Sequence, residues 1–320
     1  MSNATLVDVK DMVVRFPIRT GRGRSFITPV DRVSFTIDSG EVLALVGESG
    51  SGKTTIGKAL LRIEEPSAGT IQVGNRDVTH IKGQALVRYR NDVQMIFQDP
   101  FGSLNPVKTI EQHLFFPLKK HQGLRGTELY DRTGELLERV GLTPVPETRI
   151  KYPHELSGGQ RQRVAIARAL AVNPKFLVAD EPISMLDVSI RAGVLKLMNE
   201  LKRDMNLSFL YITHDLASAR YFGDRIMVLY GGHVMETAES SDLLRRPMHP
   251  YTKLLLAATP GNPVRQPLPE TSNQAPDLLE GRKGCVFATR CPLVTDLCRN
   301  EKPPLQSLDA GHAVACHYAV

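Results

Sequence analysis

Short apolar runs alternate with longer stretches of helical spacing along most of this chain. Residues 6–16 and 30–37 have strand-like composition, with a polar insert between them. The run VLALV at 42–46 precedes a glycine-rich turn, after which a helix is expected from about Lys53 to Ile63. EPSAG at 65–69 reads as a turn into the strand-like TIQV at 70–73, and VQMIF at 93–97 reads as a buried strand. FLVAD at 176–180 and LSFLYIT at 207–213 have apolar strand character, with a helical pattern at 189–203 between them. Strands alternating with helices predict an α/β fold with a mostly parallel sheet covered by helices.

Two stretches depart from that rhythm. From about 100 to 170 the chain carries charged helical patterns, around 127–140 and again at 159–171, which predict a helical insertion. Beyond about 258 the segment TPGNPVRQPLPETSNQAPD is rich in proline and polar residues and reads as a crossing loop or linker. The expected division is therefore 1–258, with its helical part at about 100–170, and an extension at 259–320 that holds all four cysteines.

Composition narrows the class. The chain has 320 residues, 42% of them hydrophobic and 23% charged, as in a soluble globular protein. It lacks a run of about 18 apolar residues to span a bilayer. The opening MSNATLVDVKDM places Asp8 and Asp11 where a signal peptide needs apolar residues, which points to the cytoplasm. A membrane role then has to come through partner proteins or surface contact. The net charge of +6 spreads 40 basic against 34 acidic residues over the chain. Only Arg15, Arg19, Arg22 and Arg24 make a short biased run, so nucleic-acid binding is not expected.

The first chemical motif follows the run at 42–46. Gly47-Glu48-Ser49-Gly50-Ser51-Gly52-Lys53-Thr54, with Thr55 next, matches the phosphate-loop pattern G-x-x-x-x-G-K-[ST] in full. Its glycines let the backbone curl around phosphate with N–H groups pointing inward, and the next helix adds its positive end. Lys53 can reach the β- and γ-phosphates, and the Thr54 hydroxyl can hold Mg2+. Downstream, the apolar strand 176–179 ends in Asp180-Glu181. Asp180 is placed for Mg2+, and Glu181 for orienting and polarising the attacking water as a general base. Catalysis of this kind is mostly positioning and charge compensation.

Leu156-Ser157-Gly158-Gly159-Gln160, followed by RQRVAIARAL, resembles the signature of the ATP-binding cassette family. Taken alone, this segment is a helix cap with Ser157 as the capping residue. The resemblance implies a P-loop cassette with a RecA-like core, an antiparallel β subdomain and a helical signature subdomain. It implies a head-to-tail ATPase pair in which Ser157, Gly158, Gly159 and Gln160 close over ATP on the partner's phosphate loop. Gln98 resembles the Q-loop glutamine, which senses Mg2+ and water and couples the site to a membrane subunit. Ser184-Met185-Leu186-Asp187 resembles the D-loop at the dimer interface, and His214 the switch histidine that contacts the γ-phosphate. Phe16 resembles the aromatic that stacks on adenine, with Phe26 as the competing choice and a core role open for either. Where the family commonly reads E-P-T-S-A-L-D, this chain has Ile183 and Met185, which change packing but remove no catalytic group.

The insert after Phe16, Tyr152-Pro153-His154-Glu155, HPYTKLLLAATP at 249–260 and the cysteine tail resemble the oligopeptide/dipeptide transporter branch, which also contains nickel and oligosaccharide importers. That branch implies a paralogous second ATPase, two permeases and an extracytoplasmic solute-binding protein, with this chain peripheral on the cytoplasmic face of the membrane. A soluble ATPase of the same superfamily and a regulatory subunit without turnover are the rival readings. Cysteine spacing in the tail, C-x5-C-x6-C-x17-C, fits neither common ferredoxin nor zinc-finger spacings. Disulfides are disfavoured by the expected compartment. Branch members with a matching tail carry a [4Fe-4S] cluster, which makes Cys285, Cys291, Cys298 and Cys316 its candidate ligands, with zinc or plain thiols as alternatives.

Overall fold

The computed structural model describes residues 4–20, 23–259, 283–309 and 311–319. In chain order its strands are β1 (Thr5–Thr20), β2 (Gly23–Asp38), β3 (Val42–Val46), β4 (Ala68–Val73), β5 (Arg76–Asp77), β6 (Val93–Ile96), β7 (Phe176–Asp180), β8 (Ser208–Thr213), β9 (Arg225–Tyr230), β10 (His233–Glu239), β11 (Gln306–Asp309) and β12 (His312–Val314). The chain divides into two compact units, Lys82–Phe209 on one side and the described residues of Met1–Ile81 with Leu210–Val320 on the other.

The first unit holds two sheets. An antiparallel sheet runs β2-β1-β4-β5, and its inward alternation buries Val7, Val9, Met12 and Val14 on β1. The polar insert expected after residue 16 is not a loop. Phe16 pairs with Ile27, Pro17 with Phe26 and Arg19 with Arg24, so the insert extends the β1–β2 hairpin. Polar side chains tolerate that register because hairpin pairing needs only backbone groups.

The second sheet of this unit orders its strands β11-β12-β10-β9-β3-β8. β3 and β9 are parallel, and every residue of β3 is buried, the signature of a strand covered on both faces. Asp224 fixes the start of the pair, its carboxylate accepting from Val42 N–H at 2.7 Å. The tail joins this sheet. β12 pairs antiparallel with β10, and β11 with β12. The proline-rich segment expected to be a crossing loop lies, from residue 260 to 282, outside the described residues.

The second unit is mainly helical. Its parallel pair β6–β7 aligns Val93 with Phe176 and Ile96 with Ala179. Helices Gly126–Arg139, Gly158–Leu170 and Val188–Met205 occupy the stretches where helical patterning is expected, and Ile110–Pro117 and Val145–Ile150 are further helices of this unit. Leu114, Leu136, Leu137, Val164, Ile166 and Leu170 are among their buried side chains. Arg149 is buried with them, its guanidinium 3.5 Å from the Tyr130 ring centroid and donating to the Tyr130 carbonyl at 2.7 Å. No helix among the described residues is long and apolar enough to cross a membrane.

Candidate functional site

In the first unit, β3 delivers the chain into Gly47–Gly52 and the helix Lys53–Leu60 carries it away. Gly50 and Gly52 both have left-handed backbone, with φ of 78° and 105°. Left-handed residues alternating with right-handed ones turn backbone N–H groups toward one concavity, the geometry that binds phosphate. A β-carbon on Gly50 would meet nothing within 4 Å, so this face of the loop is open. The opposite side is fixed to the sheet. Gly232 donates to the Ser51 carbonyl at 3.0 Å, and Asp31 donates to the Gly232 carbonyl at 3.0 Å.

Lys53 is buried, and its ammonium donates to the Gly47 carbonyl at 2.7 Å and the Glu48 carbonyl at 2.8 Å. Thr54 is exposed and Thr55 half-buried on the first helical turn. The loop thus places a cation, a hydroxyl and a helix N-terminus together. His214 stands exposed just after β8. Phe16 is half-buried on β1. Phe26 pairs with Pro17, one register position from the Phe16–Ile27 pair, so the two phenylalanines face opposite sides of the hairpin.

In the second unit, the parallel register carries two residues beyond Ile96 and two beyond Ala179 to Gln98 and Glu181. Gln98 Nε2 donates to Glu181 Oε2 at 3.0 Å. Sequence reasoning named both residues separately, and the sheet brings them together. Asp180, the last residue of β7, is buried. Glu181 has φ of 44°, in the left-handed region that non-glycine residues seldom occupy. Strain of that kind concentrates where a side chain has to be held in one direction. The turn is closed by Ser184, whose N–H and hydroxyl donate to the Glu181 carbonyl at 3.1 and 3.0 Å.

The signature segment is also in this unit, and its capping role is visible. Ser157 Oγ accepts from Gln160 N–H at 3.3 Å, while Gln160 Oε1 accepts from Ser157 N–H at 3.0 Å, a reciprocal capping box. Gly159 has no room for a side chain, since a β-carbon there would lie 2.4 Å from Ile190 Cγ2. Asp187 begins the helix Val188–Met205 as its exposed first flank, without a side-chain capping bond. Of the two family departures, Ile183 is buried and Met185 exposed. Ser157→Ala is expected to lower stability by about 1 kcal/mol through the lost cap, whereas Ser157→Gly should lower it by only a few tenths. Urea denaturation of the two variants checks this, and equal losses would refute the cap as the source.

The tail residues return to the first unit. Cys285, Cys291, Cys298 and Cys316 are free thiols that line one small cavity with His249, Phe287 and His317. Burial, with smaller contributions from the other thiols, pushes the Cys285 thiol up to about 11. Among the described residues no group of three or more His, Cys, Asp and Glu side chains is arranged to hold a metal ion.

Several connections were absent from the sequence reading. Buried Glu236 accepts from Met248 N–H, His249 N–H and His312 Nε2 at 2.8, 2.9 and 2.8 Å, which ties the tail to the start of the helix Pro250–Ala257. His249 caps that helix, its Nδ1 accepting from Tyr251 N–H at 3.0 Å. Burial holds His249 at about 4, so it is neutral and its lone pair is available for the cap. The motif HPYT was visible in the sequence, and the capping role of its histidine is its physical content.

The profile of the family described as "ABC transporter" matches residues 30–184, and that described as "Oligopeptide/dipeptide transporter, C-terminal region" matches 235–298. The chain is 42% identical to the oligopeptide transport ATP-binding protein AppF of Bacillus subtilis, over 98% of this chain and 97% of that one. It is 45% identical to a putative peptide import ATP-binding protein of Brucella ovis, over 99% and 98%. Among solved structures it is similar to the ATP-binding cassette MJ0796 in a dimeric post-hydrolysis state bound to ADP and Pi. That similarity has TM-score 0.65 and 30% identity, over 73% of this chain and 99% of that one. A second is cbiO1 of Clostridium perfringens, part of the complex cbiONQ, with TM-score 0.66 and 26% identity over 76% and 91%.

Proposed function

This chain belongs to the ABC transporter ATPases of the oligopeptide/dipeptide import family, and from that premise we propose that it hydrolyses ATP to drive peptide uptake across a membrane. The observation that carries this reading is a complete phosphate loop in the same chain as the oligopeptide-type C-terminal region. Residues 1–258 act as the cassette, with its helical part at about 100–170, and 259–320 as the branch-specific extension.

Each residue then has a task. The backbone of Gly47, Ser49, Gly50, Ser51 and Gly52 receives the phosphates, and Lys53 turns its ammonium to the β- and γ-phosphates. Thr54, Gln98 and Asp180 offer the oxygen ligands that Mg2+ takes, and when bound it neutralises charge between the phosphates. Glu181 orients and deprotonates the attacking water, and His214 contacts the γ-phosphate. Ser157, Gly158, Gly159 and Gln160 serve the ATP held by a partner subunit, and Asp187 lines the contact between the two. Phe16 stacks on adenine.

The partners in this reading are a paralogous ATPase, two permeases and an extracytoplasmic solute-binding protein, with this chain on the cytoplasmic face of the membrane. For the tail, the reading is a [4Fe-4S] cluster on Cys285, Cys291, Cys298 and Cys316. Its support is a set of four thiol donors around one cavity, the ligand set such clusters take. Bound there, the cluster would cross-link the tail, and no electron transfer follows from it.

Capture of a tagged copy from native membranes, without oxygen, tests these proposals together. Mass spectrometry should recover two permeases, a second ATPase and a solute-binding protein whose bound ligand is a peptide. Metal analysis should find about four irons and four sulfides per chain. Recovery with ribosomes or DNA and no permease would overturn the transport reading. A bound oligosaccharide or nickel would overturn the cargo, and one zinc without iron would overturn the cluster.

A further inference from the structure

Glu48, a variable position of the phosphate loop, is held from three directions. Its backbone N–H donates to Tyr251 Oη at 3.0 Å. Its carbonyl accepts from the Lys53 ammonium at 2.8 Å. Its carboxylate takes a two-pronged bond from Arg290, with Nη1 to Oε2 at 2.7 Å and Nη2 to Oε1 at 3.0 Å. The Arg290 side chain is only 11% exposed and that of Glu48 37%, so the pair is partly shielded, and its two-pronged geometry sets it apart from an ordinary surface ion pair.

The groups that hold Glu48 are themselves anchored. Tyr230, Tyr251 and Phe287 form a buried aromatic cluster, with ring centroids 4.6 Å apart for the tyrosines and 5.3 Å from each tyrosine to Phe287. The Arg290 guanidinium lies 5.6 Å from the Tyr230 centroid and 5.9 Å from that of Phe287. Phe287 and Arg290 belong to the same turn, in which Ala288 donates to the Cys285 carbonyl at 3.1 Å and Arg290 to the Phe287 carbonyl at 3.0 Å. That turn runs from Cys285 to Cys291. Both ends line the thiol-lined cavity, and Cys285 N–H donates to the Cys298 carbonyl at 2.7 Å.

We propose that Arg290 is a positioning residue for nucleotide binding, through which the C-terminal cysteine turn sets the phosphate loop. The inference rests on reading Gly47–Thr54 as the phosphate loop. The chain of contacts is short: the cysteine turn places Arg290, Arg290 and Tyr251 fix Glu48, and the Glu48 carbonyl lies on the Lys53 ammonium. With Arg290 truncated, the loop keeps its glycines and its lysine but loses the outer hold on Glu48. The arrangement that receives phosphate is then one of several the loop can adopt. Affinity falls, while chemistry at saturation changes less, because Arg290 touches no reacting group.

The test is MgADP titration of the full-length chain, with KM and kcat for ATP in the assembled transporter. Arg290→Gln should weaken MgADP binding and raise KM by about fivefold, with kcat within about twofold. Glu48→Gln should do the same. The double variant should be no worse than either single one, since both remove one interaction. Arg290→Lys, which keeps the charge but not the fork, should recover part of the affinity. A lowered melting temperature with unchanged affinity would make Arg290 a mere brace and overturn the proposal. So would single-variant effects that multiply in the double variant. Failure of the wild-type chain to bind MgADP would instead overturn the phosphate-loop reading itself.

Discussion

Glu181→Gln is expected to reduce ATP hydrolysis by the assembled transporter by about a thousandfold while leaving nucleotide affinity nearly unchanged. General-base assistance contributes on the order of 10²–10⁴ in rate, and removing it exposes most of that factor. The substitution is isosteric, and an amide oxygen can still accept from Gln98 Nε2, which now donates to the carboxylate at 3.0 Å. The left-handed backbone at this position costs glutamine what it costs glutamate. Folding stability should therefore hold, and a lost rate can be assigned to chemistry. Phosphate release and nucleotide binding measured on the same preparation decide it. Wild-type turnover would remove Glu181 from the mechanism.

The parts of this site that could be read from sequence are those whose meaning is local. A phosphate loop is eight consecutive residues with fixed backbone demands, and LSGGQ is a helix cap with small residues, so each carries its own pattern. Apolar runs located β3, β7 and β8 because strands buried on both faces are continuous in hydrophobicity. Pairing was less legible. Nothing in the local composition of 17–29 shows that it continues the hairpin, since polar side chains do not report backbone pairing. Gln98 and Glu181 were named separately, and only the β6–β7 register explains why they touch. Least legible was the hold on Glu48. Arg290 lies 242 positions away in the cysteine tail, and nothing local to either residue points to the other. The clue available was indirect: HPYT and the cysteine tail occur together, and in the folded chain both reach the same loop residue.

Gly52→Ala is expected to lose nucleotide binding by at least about a hundredfold and to lower the melting temperature by roughly 5–10 °C. Two independent costs add. At φ of 105° an alanine is outside the conformations that L-residues adopt readily, a strain of about 1–3 kcal/mol. Its β-carbon would also lie 2.0 Å from the Pro29 carbonyl oxygen, which is backbone and cannot swing away like a side chain. Overpacking of that kind costs about 1–3 kcal/mol more. The chain can relieve both only by moving the loop off β2. Gly52 is the N-cap of the helix Lys53–Leu60, and its carbonyl accepts from Ile56 N–H at 3.0 Å, so the movement carries Lys53 with it. The ammonium is then displaced from the loop from which it would turn to the phosphates, and the helix N-terminus is displaced with it. Gly50→Ala separates the two costs, because its φ of 78° is also left-handed but its β-carbon would meet nothing within 4 Å. That variant should lose only the strain, and melt between Gly52→Ala and wild type. Thermal melts with MgADP titration of both variants decide the matter. Equal losses at Gly50 and Gly52 would show that backbone conformation alone governs the loop, and wild-type binding by Gly52→Ala would show that the Pro29 contact yields.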